Sequence, residues 1–272
     1  MLGIVTRREL ARGLNRVVAW GTSTAVLLVL LGAGVGAFGT IVGAGGGFVL
    51  TPVLLLLYPH EPPERLTAIS LTAVFFNAGS GSVAYLRQRR VDVRSGLVFA
   101  AATLPGAVGG ALLTTAVSRR LFDGLMGGVL ALLAVWLLVG GRGRPKPREG
   151  VPLVRGALYS LVVGFVSSFL GIGGGVIHVP LLVRALGFPT HVATATSHFV
   201  LAWMAGAGAI THAVAGSFAH GHGVRRAAAL SVGVVAGAQA GAAISRRLHA
   251  QHIERLLTLA LLALAARLLV SV

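Results

Sequence analysis

Apolar residues in this chain fall in long runs separated by short polar or basic stretches. The runs are Ala19–Phe38, Phe48–Tyr58, Leu66–Leu86, Gly96–Val117, Leu125–Val139, Gly156–Leu170, Val176–Leu186, Val192–Val214, Ala227–Ile244 and Leu256–Val272. Most approach the roughly 20 residues that carry an α-helix across a bilayer. Phe48–Tyr58 and Val176–Leu186 are short, and each follows a glycine cluster, "GAGGG" at 43–47 and "GIGGG" at 171–175. The pattern predicts an all-α polytopic membrane protein in which two of the apolar segments are broken by glycines.

The two clusters are copies of each other. Gly43, Gly45, Gly46, Gly47 and Pro52 fall on Gly171, Gly173, Gly174, Gly175 and Pro180 at a constant offset of 128. With one residue deleted, Ser70, Gly79 and Gly81 fall on Ser197, Gly206 and Gly208, and further on Gly106 and Gly110 lie opposite Gly237 and Gly241. The expected organisation is a basic tail at 1–19, a first transmembrane repeat at 20–140, a basic linker at 141–155 and a second repeat at 156–272. Each of these two homologous halves contains a glycine-broken helix pair followed by three membrane helices, the second of which carries a G-x-x-x-G face suited to close helix packing. As one helix, residues 22–58 would reach ~55 Å at about 1.5 Å per residue, too long for a single ~30 Å crossing. The broken pair is therefore expected to be a hairpin or two crossings, which makes the halves inverted repeats with both termini outside. Arg7, Arg8, Arg12 and Arg16 pull towards the opposite orientation, because basic residues favour the cytoplasmic side.

Composition supports the membrane reading. Of 272 residues, 55% are hydrophobic and 11% charged, with a mean hydropathy of +0.86; soluble domains carry about 25% charged residues. The formal charge of +16 sits mainly in the breaks between apolar runs. It reads as topology signals and lipid-headgroup contacts, with no nucleic acid as partner. The absence of cysteine excludes disulfides, thiolate metal sites and cysteine catalysis. The first apolar run exceeds the ~7–15-residue core of a secretory signal, so it is expected to remain as a membrane helix.

A broken helix is tolerated in hydrocarbon only where it is buried in protein or lines a polar cavity. Successive glycines leave backbone N–H groups uncovered, and the short helix after each break points its positive end at the same place. Gly45, Gly46, Gly47, Gly173, Gly174 and Gly175 are thus candidate ligands for a small anion, set against a purely packing role. The following long runs add Ser70, Asn77, Thr196, Ser197 and His198, and the broken segment adds His178. Hydroxyls in such helices often bond their own backbone carbonyls, and a lone membrane histidine is usually a packed one. All seven acidic residues, Glu9, Glu61, Glu64, Asp92, Asp123, Glu149 and Glu254, fall in tails, loops or helix ends. A cation pathway or carboxylate relay normally places one inside the membrane, so the ligand is expected to be an anion, and any proton coupling would run through His178, His198 or the substrate.

"GTIVGAGGGFVLTPVLLLL" (39–57), "TAISLTAVFFNA" (67–78), "FLGIGGGVIHVPLLVRALGFPTHVATATS" (169–197) and the two "SRRL" segments resemble the sulfite exporter TauE/SafE family, also called the toluene sulfonate uptake permease family. The resemblance covers about residues 20–272. It implies a multi-pass secondary transporter of the cell membrane that moves small sulfur-containing oxyanions such as sulfite or organosulfonates. Expected partners are a small anionic substrate and the lipid bilayer, and the small-residue helix faces permit a homodimer. Neither enzymatic chemistry nor a cofactor is called for. The histidine-rich second half departs from what the family leads one to expect at 178 and 198, and it keeps open an alternative, a metal-cation permease with imidazole ligands.

Overall fold

The structure, a computed structural model, describes residues 21–139, 152–219, 221–248, 255 and 258–266. The tail at 1–19, most of the linker at 141–155 and much of the final apolar run lie outside the described residues.

Helix α1 (Thr22–Val42) is followed after four residues by the short α2 (Gly47–Leu57), then α3 (Pro63–Arg87), α4 (Val93–Thr114) and α5 (Arg119–Val139). The second half repeats the order with α6 (Leu153–Leu170), the short α7 (Gly175–Arg184), α8 (Thr190–Val214) and α9 (Gly223–Ser245), and residues 258–266 are also helical. Among the described residues no strand occurs. By length and composition, α1, α3, α4, α6 and α9 are long and apolar enough to cross a membrane. Their outward faces carry Leu30, Leu97, Val162 and Val232, each more than half exposed, an apolar surface that a soluble monomer would rarely show.

Local sequence explains where the helices begin and end. Pro63 opens α3, where its missing N–H costs nothing. Asp92 caps α4, its carboxylate accepting from the Ser95 amide at 3.1 Å and the Ser95 hydroxyl at 2.9 Å. The end of α2 is closed by Arg119 of α5, whose guanidinium donates to the carbonyls of Leu55 and Glu61 at 2.7 and 2.8 Å. Carbonyls at a helix end have no intrahelical donor, so one cation satisfies the segment that returns from the first break. Glu61 in the same loop pairs with Arg65, and at 3.0 Å with Arg226 at the start of α9.

Packing exchanges helices between the halves. The first helix of each half lies against the fourth element of the other, α1 on α9 and α6 on α4, while α3 and α8 cross at the centre. Glycine makes both close approaches. A Cβ on Gly237 or Gly241 would overlap the carbonyls of Ala33 and Ala37, and one on Gly106 or Gly110 those of Leu161 and Phe165. These contacts correspond one to one, because Ala33 and Ala37 precede Leu161 and Phe165 by the same 128 positions as the glycine motifs. The G-x-x-x-G faces thus serve backbone-to-backbone packing, which stabilises helices in lipid through dispersion rather than water exclusion.

Candidate functional site

Each broken pair turns on a left-handed glycine. Gly43 (φ 76°) ends α1 and Gly171 (φ 66°) ends α6, a backbone state that any Cβ would penalise. The two breaks then meet at the centre of the bundle. A Cβ on Gly47 would stand 2.7 Å from the carbonyl carbon and oxygen of Ile172, and one on Gly175 would overlap Gly43 O and Ala44 Cα. Backbone therefore rests on backbone at Gly47 and Gly175, with no side chain between. Neither N-cap, Gly46 or Gly174, offers a side chain to the first-turn N–H groups of the short helices, and such groups lack intrahelical acceptors.

The long helices hold the carbonyls of the opposite break. Ser70 of α3 donates to Gly171 O at 2.9 Å, joined by Thr51 of α2 at 2.6 Å. The equivalent Ser197 of α8 reaches Gly43 O at 3.5 Å. Thr67 and Thr194 press their methyls against Gly171 and Gly43, and their buried hydroxyls have no hydrogen-bond partner, nor do those of Ser167 and Ser168 beside the second break. Hydroxyls thus surround both breaks, some committed to carbonyls and some free.

The first break has a polar wall that the second lacks. Asn77 donates from Nδ2 to Gly45 O at 2.9 Å, and Thr40 donates to Asn77 Oδ1 at 3.2 Å. Tyr85 donates to Thr40 O at 2.6 Å, and His198 stands edge-on to Tyr85 with Nε2 3.5 Å from Thr40 Oγ1. All four side chains are buried. At the second break the position equivalent to Asn77 is Met204, whose sulfur faces Gly174.

Among the candidates from sequence, the structure brings together Gly45, Gly46, Gly47, Gly173, Gly174, Gly175, Ser70, Asn77, Ser197 and His198. It sets two apart. Thr196 accepts from the Asp92 backbone N–H at 3.0 Å, on the loop between α3 and α4. His178 lies 3.0 Å from Ser160 Oγ and edge-on to Phe99, between α6 and α4. Thr40, Thr51 and Tyr85 were missed. Thr40 precedes Gly43 by three residues on the inner face of α1 and falls on Ser168 at the offset of 128, so proximity to the motif and a matched hydroxyl were its signals. Among the described residues no three His, Asp or Glu side chains converge. His212 instead faces Ser217 Oγ at 3.2 Å.

A multi-pass helical bundle with two broken helices meeting at its centre is the build of a membrane transporter. Residues 28–268 match the sulfite exporter TauE/SafE family, and the chain belongs to that family. It is similar to a "Probable membrane transporter protein YunE" of Bacillus subtilis, 28% identical over 268 residues that cover 90% of this chain and 97% of the relative. A "Probable membrane transporter protein" of Xylella fastidiosa is 29% identical over 170 residues, 60% of this chain and 65% of the relative. "Probable membrane transporter protein MJ0441" of Methanocaldococcus jannaschii is 22% identical over 243 residues, 85% and 90% of the two chains. No solved structure matches the chain. The protein is thus a multi-pass transporter of the cell membrane.

Proposed function

We propose that this transporter is a secondary carrier for small sulfur-containing oxyanions, sulfite or organosulfonates, held between the two glycine breaks. The observation that carries the reading is the meeting of the breaks. Two uncapped helix starts and a set of buried hydroxyls converge at one level of the bundle, and oriented N–H groups of this kind stabilise negative charge without a full cation. The described acidic residues Glu61, Glu64, Asp92 and Asp123 occupy a loop, an N-cap or helix starts, so none of them competes with an anion at the centre.

The reading includes inverted halves moving against each other. Arg226 at the start of α9 pairs with Glu61 beside the start of α3, and Arg90 just after α3 contacts His191 at the start of α8. Those contacts suit antiparallel α3 and α8. On α1 and α9, Val29, Ala33 and Ala37 meet Gly233, Gly237 and Gly241 in the same order, and Tyr58 beyond α2 lies under Arg226, 3.9 Å from its guanidinium carbon to the ring centre. That arrangement suits an α1–α2 hairpin that enters and leaves by one side, leaving an odd number of crossings in each half. In the conformation described here the breaks touch, so the anion requires them to separate as the halves rock.

Flux into proteoliposomes with sulfite, sulfonates, sulfate, chloride and divalent metals tests the function. Saturable flux of sulfite or a sulfonate is expected. Saturable metal flux with no anion response would establish the imidazole-ligand alternative instead.

A further inference from the structure

The polar wall of the first break has an unusual hydrogen-bond balance. Asn77 spends Nδ2 on Gly45 O, which fixes its amide orientation and leaves Oδ1 as an acceptor for the single Thr40 proton. Thr40 Oγ1 therefore has only a lone pair to offer His198 Nε2. The carbonyls of Asn77 and Gly43 also lie beside the ring, and the buried Nδ1 has no hydrogen-bond partner. The groups identified beside the imidazole nitrogens, Thr40 Oγ1 and these two carbonyls, are all acceptors. A neutral ring offers one N–H to that set and turns a lone pair on the rest; only the doubly protonated ring meets it on both sides.

An imidazolium buried here needs a counter-ion, and the described residues supply none: their carboxylates sit at a loop, an N-cap or helix starts. The titratable group facing it is Tyr85 of α3, with Arg90 stacked on the Tyr85 ring at 5.1 Å and Arg246, at the end of α9, within electrostatic reach of Arg90. On α8 itself, His191 is engaged by Arg90 and His212 by Ser217, while α1 presents only the neutral Thr40. The equivalent position in the first half is Leu71, so this arrangement exists once per chain.

We propose that His198 couples one proton to each anion: the imidazole takes a proton from hydronium or a buffer acid of the aqueous phase, the N–H bond forming as that acid's bond breaks, as the anion binds at the adjacent break, and the imidazolium and anion neutralise each other for the crossing. No other bond forms or breaks. The inference rests on the anion reading above and specifies its coupling ion.

Calorimetric binding of methanesulfonate to the purified full chain, in two buffers of different ionisation enthalpy, tests it, because this anion takes up no proton of its own near neutral pH. The wild type is expected to take up close to one proton per anion, with affinity falling about tenfold per pH unit wherever the free imidazole is neutral. His198→Gln is expected to bind more weakly with no proton uptake, and His198→Leu, which copies Leu71, serves if the first variant does not fold. His212→Gln should keep the uptake. Anion binding without proton uptake in the wild type overturns the coupling and leaves the anion reading standing. Uptake that survives in His198→Gln overturns the assignment to this residue. Absence of binding by methanesulfonate and by sulfite would overturn the anion reading, and the coupling with it.

Discussion

Gly46 and Gly174 occupy equivalent positions in the two motifs, yet the structure predicts that alanine there has unequal effects. Gly46 has φ 80° and Gly174 φ −56°. Alanine at 46 incurs about 1–2 kcal/mol for the left-handed backbone. Its Cβ would also stand 2.6 Å from Val35 Cγ1 and 2.8 Å from Val35 O, and because the second neighbour is helix backbone, relieving it adds about 1–3 kcal/mol. A gain of about 0.4–1 kcal/mol from the less flexible unfolded chain offsets part of this, leaving a net loss of about 1–5 kcal/mol. At 174 the backbone angle is ordinary, and the closest atoms are the sulfur of Met204 at 3.0 Å and Val163 Cγ1 at 3.1 Å, side-chain ends that yield by small shifts. The net change there should stay within about 1 kcal/mol. Thermal unfolding of both variants in detergent measures the difference. Gly46→Ala should melt well below the wild type and Gly174→Ala close to it. Equal melting temperatures, or the greater loss at 174, would refute the reasoning from backbone angle and neighbour.

Two further outcomes follow from the packing and the charges. Gly237→Leu should prevent α9 from seating on α1 and abolish the folded monodisperse species on size exclusion, whereas Gly128→Ala, whose new Cβ would meet nothing within 4 Å, should be neutral or raise stability by up to about 1 kcal/mol through helix propensity. For Glu61, burial pushes the carboxyl up, but hydrogen bonds from Arg226 and Arg65 and the charges of both arginines outweigh it and hold the group below the usual carboxylate range. A depressed carboxylate contributes stability that is full above its unfolded pKa and lost as pH falls through the folded one. Glu61→Gln should therefore be less stable than the wild type at neutral pH, with the gap closing in acid; a gap that persists unchanged at low pH would contradict the pairing.

The duplicated skeleton was legible because Gly43 and Gly171 turn the chain at positive φ and Gly47 and Gly175 set backbone against backbone, with Pro52 and Pro180 recurring inside the short helices, and α1–α2 and α6–α7 form where the motifs predict. The G-x-x-x-G faces announced close packing but not its partner. A helix face carries no record of which distant helix it meets, and nothing in the periodicity of α1 points to α9. Hydroxyls were equally ambiguous. Ser70 and Ser197 were identifiable by their matched positions and do reach the breaks, while Thr196, one residue away, faces the other side of α8 and serves the backbone at Asp92. Thr40 falls on Ser168 at the same offset of 128, whereas Tyr85, past the one-residue deletion, falls on His212 and has no like residue opposite it, and only the fold brings Thr40 and Tyr85 to His198. The different backbone angles of Gly46 and Gly174 belong to the packing around each break, which the shared motif does not encode.

The central claim is that the paired breaks hold the anion, and the most direct measurement is sulfite flux through Gly174→Ala in proteoliposomes, alongside the wild type at equal reconstituted protein. Gly174 begins the approach to α7, and its alanine variant is the one expected to stay folded. The account predicts saturable flux in the wild type and its loss in the folded variant. Unchanged saturable flux in Gly174→Ala would contradict it and return the glycines to a role in packing alone.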